Sequence, residues 1–182
     1  MLVITVPSQE LWDEEKQEFI TVKEQELRLE HSLVSIAKWE SKWHKVFLDD
    51  KYDKTEEETI DYIRCMTLTQ NVDPLVYYCL TSDNMRSINA YIEDPMTATF
   101  INDMGHESKM SREPVTSELI YYWMITLGVP FECQKWHINR LIMLIRVCGH
   151  KQQTPKKMSK RELMARNARL NAARRKKLGT TG

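Results

Sequence analysis

The sequence predicts an α+β fold, in which a mainly helical domain carries a small N-terminal antiparallel sheet and a basic C-terminal helix. Residues 1–31 contain short segments rich in β-branched or alternating apolar residues, and residues 32–150 contain apolar residues at helical spacing behind capping signals. Residues 151–182 are rich in Lys and Arg. We therefore expect an acidic globular domain over residues 1–150, followed by a linker and a basic helix over residues 151–182.

The predicted strands all lie before residue 32. They are Leu2–Val6, Phe19–Val22 and Glu26–Glu30. Pro7 and Ser8 close the first segment, and the polar residues 23–26 supply a turn between the second and the third. These segments predict one small antiparallel sheet.

The first predicted helix runs from residue 32 to about residue 47, because Leu33, Ile36, Trp43 and Phe47 share one side at 3.6 residues per turn. Capping signals start the helices that follow. These signals are Thr55 with Glu58, Asp73 before Pro74, Thr81 or Ser82, and Thr116.

The last core helix is predicted to begin near Glu132. It is apolar in nearly every direction as far as Cys148, so we expect it to be buried all round. Residues 96–115 are predicted to be irregular, with a mobile loop at residues 104–109. We expect the core to be anchored by Trp39, Trp43, Trp123 and Trp136.

The formal net charge of zero hides a strong asymmetry. Residues 1–150 hold 15 basic against 25 acidic residues, a net charge of −10, whereas residues 151–182 hold 11 basic residues against Glu162, a net charge of +10. A basic tail on an acidic body suggests an interaction segment for nucleic acid, for an acidic partner or for the body itself.

Composition excludes several classes of protein. No apolar run approaches the roughly 18 residues of a membrane span, and the first residues lack the basic start of a signal peptide. We expect no membrane association. The four cysteines form no Cys-x-x-Cys pair, which is typical of buried thiols in a reducing cytoplasm.

Two residue pairs could suggest chemistry. Cys133 and His137 have the spacing of two zinc ligands on one helical face, but on a continuous helix Cys148 would lie ~22 Å from Cys133 and ~16 Å from His137, too far to share one metal. Glu40 and His44 could form a carboxylate and general base, although a structural ion pair is favoured. The sequence also lacks a Gly-rich phosphate loop and a nucleophile elbow. It therefore predicts no enzyme, no metal and no cofactor.

The predicted basic helix spans Leu163 to Leu178 behind a capping signal at Ser159. It has only a thin apolar stripe, so it buries little surface by itself. Docking to protein ranks above nucleic acid, because residues 151–182 contain no aromatic residue for base stacking and the body is acidic. A solvated charged face is the simpler alternative. The candidate partner-binding residues are Arg161, Leu163, Arg166, Arg169, Leu170, Arg174 and Arg175.

Six segments together resemble the tail assembly chaperones of long-tailed bacteriophages of Gram-positive hosts. They are Leu29–Lys45, Ile60–Thr67, Tyr91–Thr97, Ser117–Met124, Lys135–Leu141 and Pro155–Ser159. The resemblance covers most of the chain, but its patterns have no defined catalytic meaning. The short N-terminal strands depart from the nearly all-helical character of that family.

The resemblance implies a non-enzymatic protein of the host bacterial cytoplasm. Such a protein binds the tape measure protein and helps recruit tail tube subunits of the same phage. The family also implies a homo-oligomer or a longer form made by ribosomal frameshifting. Two alternatives stay open, namely a structural virion component of the tail or connector, and a nucleic-acid-associated phage protein that uses the basic helix.

Overall fold

The N-terminal strands form two antiparallel ladders with one common register. This computed structural model describes residues 1–14, 17–49, 53–99, 114–152 and 160–179. The strand β1 (Leu2–Val6) pairs with β4 (Gln25–Leu29). The strand β2 (Gln9–Asp13) pairs with β3 (Glu18–Val22). Residue 2 pairs with residue 29 and residue 9 with residue 22, so each pair of numbers adds to 31. The ladders are thus two halves of one long hairpin.

The hairpin is interrupted at Pro7 and Ser8. Proline has no N–H to donate, and the Ser8 hydroxyl bonds the Val22 carbonyl at 2.8 Å instead. In β1 the buried side chains, Ile4 and Val6, are at even-numbered positions. In β2 the odd-numbered Leu11 is half-buried, whereas the even-numbered Trp12 is exposed. The side of the chain that faces the core therefore changes at the interruption.

The predicted α+β class is confirmed, and three of the four strands were predicted. The strand β2 was missed, and the expected pairing of the second and third segments is wrong, because β3 pairs with β2 and β4 with β1.

The helices of the described residues follow in this order: α1 (Leu33–Trp43), α2 (Glu56–Met66), a 3₁₀ helix (Pro74–Cys79), α3 (Ser82–Glu93), α4 (Ser117–Leu127), a second 3₁₀ helix (Phe131–Lys135), α5 (Ile138–Gln152) and α6 (Lys160–Leu178).

The capping predictions are confirmed where the structure describes them. Thr55 and Glu58 form a reciprocal capping box, and Asp73 caps the 3₁₀ helix that begins with Pro74. Thr81, rather than Ser82, caps α3. Thr116 caps α4. These side chains satisfy backbone N–H groups that the first turn of a helix leaves without partners.

The predicted end of the first helix is wrong, because α1 ends at Trp43. His44 has a φ of 53°, a left-handed conformation that stops the helix. Phe47 is buried, as its position in the apolar stripe suggested, but it lies beyond the helix in the following segment.

The single helix predicted from Glu132 is also wrong. Trp136 is extended, and the backbone N–H of Ile138 donates to the carbonyl of His31 at 2.8 Å, which separates the second 3₁₀ helix from α5. Nor is α5 buried all round: one side is buried, while Ile142 and Leu144 are half-buried.

The core is centred on Trp39, whose side chain is 0% exposed and whose Nε1 donates to the carbonyl of Glu58 at 2.9 Å. The other three predicted anchors, Trp43, Trp123 and Trp136, are only half-buried and pack against this core. Cys79 and Cys133 are buried, while Cys65 and Cys148 are half-buried free thiols.

The chain divides into two compact units, Met1–Gly149 and His150–Gly182. The boundary falls inside α5. The loop predicted at residues 104–109, the linker at residues 154–157 and the cap at Ser159 lie outside the described residues.

Candidate protein-binding surfaces

The helix α6 contains all seven candidate partner-binding residues. Every side chain described in it is exposed, including Leu163 at 47% and Leu170 at 45%. These two leucines are seven residues apart and thus lie within about 20° of each other around the helix. They form a short apolar stripe.

Of the five candidate arginines of α6, Arg166 and Arg174 lie within about 40° of Leu170 around the helix, whereas the other three lie away from that stripe. At about 100° per residue the five point in most directions around the helix axis. They are Arg161, Arg166, Arg169, Arg174 and Arg175. The structure therefore places the predicted residues on one helix without gathering them on one face. An exposed helix with so little apolar surface gains little stability from packing, which favours a role as a ligand for another surface.

A second surface is an apolar groove of about 600 Å³ on the first compact unit. Residues from α4 and α5 line it, together with one residue from each of two loops. Among the lining residues that the structure describes, Arg146 is the one charged side chain. The lining residues are Leu48, Val115, Trp123, Leu127, Ile142, Ile145, Arg146 and Gly149.

The sequence interpretation missed this groove because it equated an apolar helix with a buried one. In α5, Leu141 and Ile145 are buried, but Ile142 and Leu144 are only half-buried and Arg146 is exposed. A further signal was Gly149, since a glycine inside a helix is unfavourable unless something requires it. An apolar helix that is only partly covered is typical of a binding surface.

A third surface lies on the outer half of the hairpin. Trp12 and Phe19 face each other across β2 and β3 with their ring centroids 4.9 Å apart, edge to face. They are nevertheless 53% and 65% exposed. Such a pair stabilises the hairpin locally while leaving apolar surface open to solvent.

A polar groove of about 570 Å³ lies beside α1 and α2 and is lined by residues of both charges. Its buried carboxylate, Asp61, is already held by the Lys42 ammonium group and by the indole N–H of Trp43 at 2.9 Å. Because both carboxylate oxygens are bonded within the chain, Asp61 is poorly placed to act as a base on a ligand.

The most perturbed titratable groups form a buried cluster around His31. Its Nδ1 shares a short hydrogen bond with the Tyr62 hydroxyl, and its ring lies 5.0 Å from that of His137. Burial, together with the nearby His137, lowers the pKa of His31 to about 3. Burial also lowers the pKa of His137 and raises the pKa of Tyr62. The Nε2 atom of His137 lies 2.9 Å from the carbonyl oxygen of Tyr91.

This cluster joins elements rather than facing a ligand. His31 is 2% exposed and Tyr62 3% exposed, so a substrate cannot reach either side chain without local opening. His31 precedes α1, Tyr62 lies in α2 and His137 precedes α5. The perturbed pKa values therefore reflect buried packing at a junction of three helices.

The two residue pairs considered from the sequence have different environments in the structure. The expected ion pair between Glu40 and His44 is wrong, because the carboxylate of Glu40 instead accepts backbone N–H groups from Phe47 and Ser117. Cys133 and His137 do not share a helical face, since the chain is extended between them. Within the described residues, no three His, Cys, Asp or Glu side chains gather as a metal site.

Over the same described ranges, no helix has both the length and the apolar character required to cross a membrane. Comparison with known proteins adds no relative: the chain matches no family model, no curated protein and no solved structure.

Proposed function

We propose that the chain is a non-enzymatic phage tail assembly chaperone, which binds the tape measure protein and helps recruit tail tube subunits. The observation that carries this proposal is α6, a helix of 19 residues whose described side chains are all exposed. A helix with exposed side chains and a thin apolar stripe gains packing energy when another surface covers it.

The chemistry of α6 suits a protein partner. Leu163 and Leu170 supply a short apolar stripe, and arginines around it supply charge in several directions. Arginine forms planar, bidentate contacts with carboxylates, which allows it to select acidic helices. A helix-rich tape measure protein, as the family resemblance implies, offers such surfaces along its length.

The first compact unit supports the same role. Among the described residues that line its apolar groove, none is a buried polar side chain that could be directed at a small ligand, which favours polypeptide side chains as occupants. The groups with the most displaced pKa values lie in the closed cluster around His31 and not in this groove. These observations favour binding over catalysis.

Co-expression with the tape measure protein of the same phage tests the proposal. We expect the full chain to increase the soluble fraction of the tape measure protein and to co-purify with it. The Leu163→Ser/Leu170→Ser double variant should lose most of this effect, because it removes the apolar stripe of α6. Met164→Ser is the matched control, because Met164 is also exposed but lies about 100° from Leu163 around the helix.

An unchanged soluble fraction of the tape measure protein contradicts the chaperone role. Presence of the chain in purified virions, measured by mass spectrometry, supports the structural alternative instead. Affinity for DNA that falls steeply with salt and disappears when the α6 arginines are replaced by glutamine supports the nucleic-acid alternative.

A further inference from the structure

The groove lined by α4 and α5 has the form of a receptor for a helix. On α4, Trp123 and Leu127 lie one turn apart, and on α5, Ile142, Ile145 and Gly149 follow at intervals of three and four residues. Residues at these spacings form ridges along one side of a helix. A third helix can place its own apolar ridge between two such rows.

Gly149 is a second, independent feature of the groove. A glycine in a helix interior costs ~1 kcal/mol relative to alanine. Apart from its own helix backbone, no described atom lies within 4 Å of a Cβ added at Gly149, so packing among the described residues does not require the glycine. Because Gly149 has no side chain, this part of the groove lining is open to close approach by another backbone.

The charge at the groove selects between possible occupants. Arg146 is exposed and is the one charged residue that lines the groove among the residues described. A helix with a carboxylate opposite Arg146 gains an ion pair, whereas a cationic helix is repelled. Residues 1–150 carry a net charge of −10 as a whole, but the charge next to the groove itself is that of Arg146, which disfavours the strongly basic α6 of a second copy as the occupant.

We propose that this groove binds one amphipathic helix of a partner protein, which inserts an apolar stripe over Gly149 and presents an acidic side chain to Arg146. The inference deepens the proposed function and rests on it, since it identifies where a protein that holds helical polypeptides receives a helix. It differs from the role of α6, which supplies a cationic helix to the partner.

Binding of a designed peptide to the full-length chain tests the groove without the tape measure protein. The probe is a dye-labelled amphipathic peptide of about 18 residues with leucines at i, i+3, i+4 and i+7 and glutamates beside them. Its counterpart has lysine at each glutamate position. Fluorescence anisotropy gives both dissociation constants, and we expect the glutamate peptide to bind about tenfold more tightly.

Three variants separate groove binding from other contacts. Gly149→Leu places a side chain in the open space and should weaken binding by about tenfold or more. Gly149→Ala adds only a methyl group to the same position and should reduce affinity far less, so it is the matched control. Arg146→Glu alters one exposed charge and should reverse the preference between the two peptides.

Nuclear magnetic resonance locates the bound peptide. The indole N–H of Trp123 and the amide of Gly149 should shift more than the corresponding signals of Trp12 or of α6. Equal affinity of the two peptides, no measurable binding of either, or full affinity in Gly149→Leu overturns the groove assignment. Loss of tape measure binding with intact peptide binding contradicts the chaperone role and leaves the groove assignment standing.

Discussion

The carboxylate of Glu40 accepts the backbone N–H of Ser117, which lies 77 positions later in the chain, at 2.8 Å. Its other oxygen accepts the backbone N–H of Phe47 at 2.9 Å. One buried side chain in α1 thus fixes both the segment after α1 and the first turn of α4. It thereby holds in place the helix that provides Trp123 and Leu127 to the apolar groove.

Replacing Glu40 by alanine should lower the free energy of unfolding by about 3 kcal/mol, because two buried backbone N–H groups lose a charged acceptor. Glu40→Gln should cost less, since the amide keeps one acceptor oxygen. Chemical denaturation of both variants measures the difference. Equal stability of the wild type and Glu40→Ala would show that these bonds contribute nothing.

His44→Gly is the matched test of the ion pair that the sequence suggested. Glycine adopts the left-handed conformation of residue 44 without strain, so this variant should be as stable as the wild type or slightly more stable. A loss as large as that of Glu40→Ala would instead indicate that the imidazole of His44 supports Glu40.

The stability of the chain should fall as the pH decreases below about 6.5. His31 is neutral in the folded state because its pKa is lowered to about 3, whereas in the unfolded state it binds a proton near pH 6.5. The unfolded state therefore binds more protons in the window between these values. Each such histidine lowers the free energy of unfolding by at most ~1.4 kcal/mol per pH unit.

Denaturant unfolding between pH 7 and pH 4 measures this slope. His31→Asn keeps a polar atom near the Tyr62 hydroxyl but cannot take up the proton, so its slope should be shallower. His137 is the remaining contributor in the cluster, because burial lowers its pKa as well. An identical slope in the wild type and His31→Asn contradicts the assignment of the acid sensitivity to His31.

Two glycine substitutions should change stability in opposite directions. Gly128 ends α4 with a φ of 68°, so Gly128→Ala should be destabilising by about 1 kcal/mol. Gly149→Ala should be stabilising by up to about 1 kcal/mol, because it removes a glycine from a helix and its Cβ enters open space. Thermal unfolding compares the two. A destabilised Gly149→Ala variant would show that the groove is closed in solution.

The exposed rings of Trp12 and Phe19 should be energetically coupled. Cross-strand aromatic pairs contribute about 0.5–1 kcal/mol beyond their separate effects. A double-mutant cycle with Trp12→Ala and Phe19→Ala measures this coupling from denaturation curves. Additive losses would indicate that the edge-to-face contact at 4.9 Å does not persist in solution.

Features that depend on neighbouring residues were predictable from the sequence. The capping boxes at Thr55 and Thr81 and the Asp73-Pro74 start are local, because the side chain and the backbone group that it bonds are two or three residues apart. The α+β class followed from the change between alternating and helical spacing near Ser32. Of the candidate surfaces, only α6 was predicted, because its Lys and Arg residues are concentrated in one short segment of the sequence.

Several of the errors involve bonds between residues that are far apart in the sequence. α1 stops at Trp43, and Glu40 reaches both Phe47 and Ser117. The break before α5 accompanies a backbone bond from Ile138 to His31, more than a hundred residues away. The groove needs α4 and α5 at a particular separation, which no periodic pattern specifies. Apolar spacing shows that a helix will pack but does not show which of its sides is covered.

Hydrogen exchange of the α6 amides, measured with and without the tape measure protein, tests the central claim most directly. In the isolated chain, residues 160–179 should exchange rapidly because their described side chains are exposed. Addition of the tape measure protein should slow their exchange by about tenfold or more as the helix is covered. Unchanged exchange in α6, with the tape measure protein present in excess, would contradict the account.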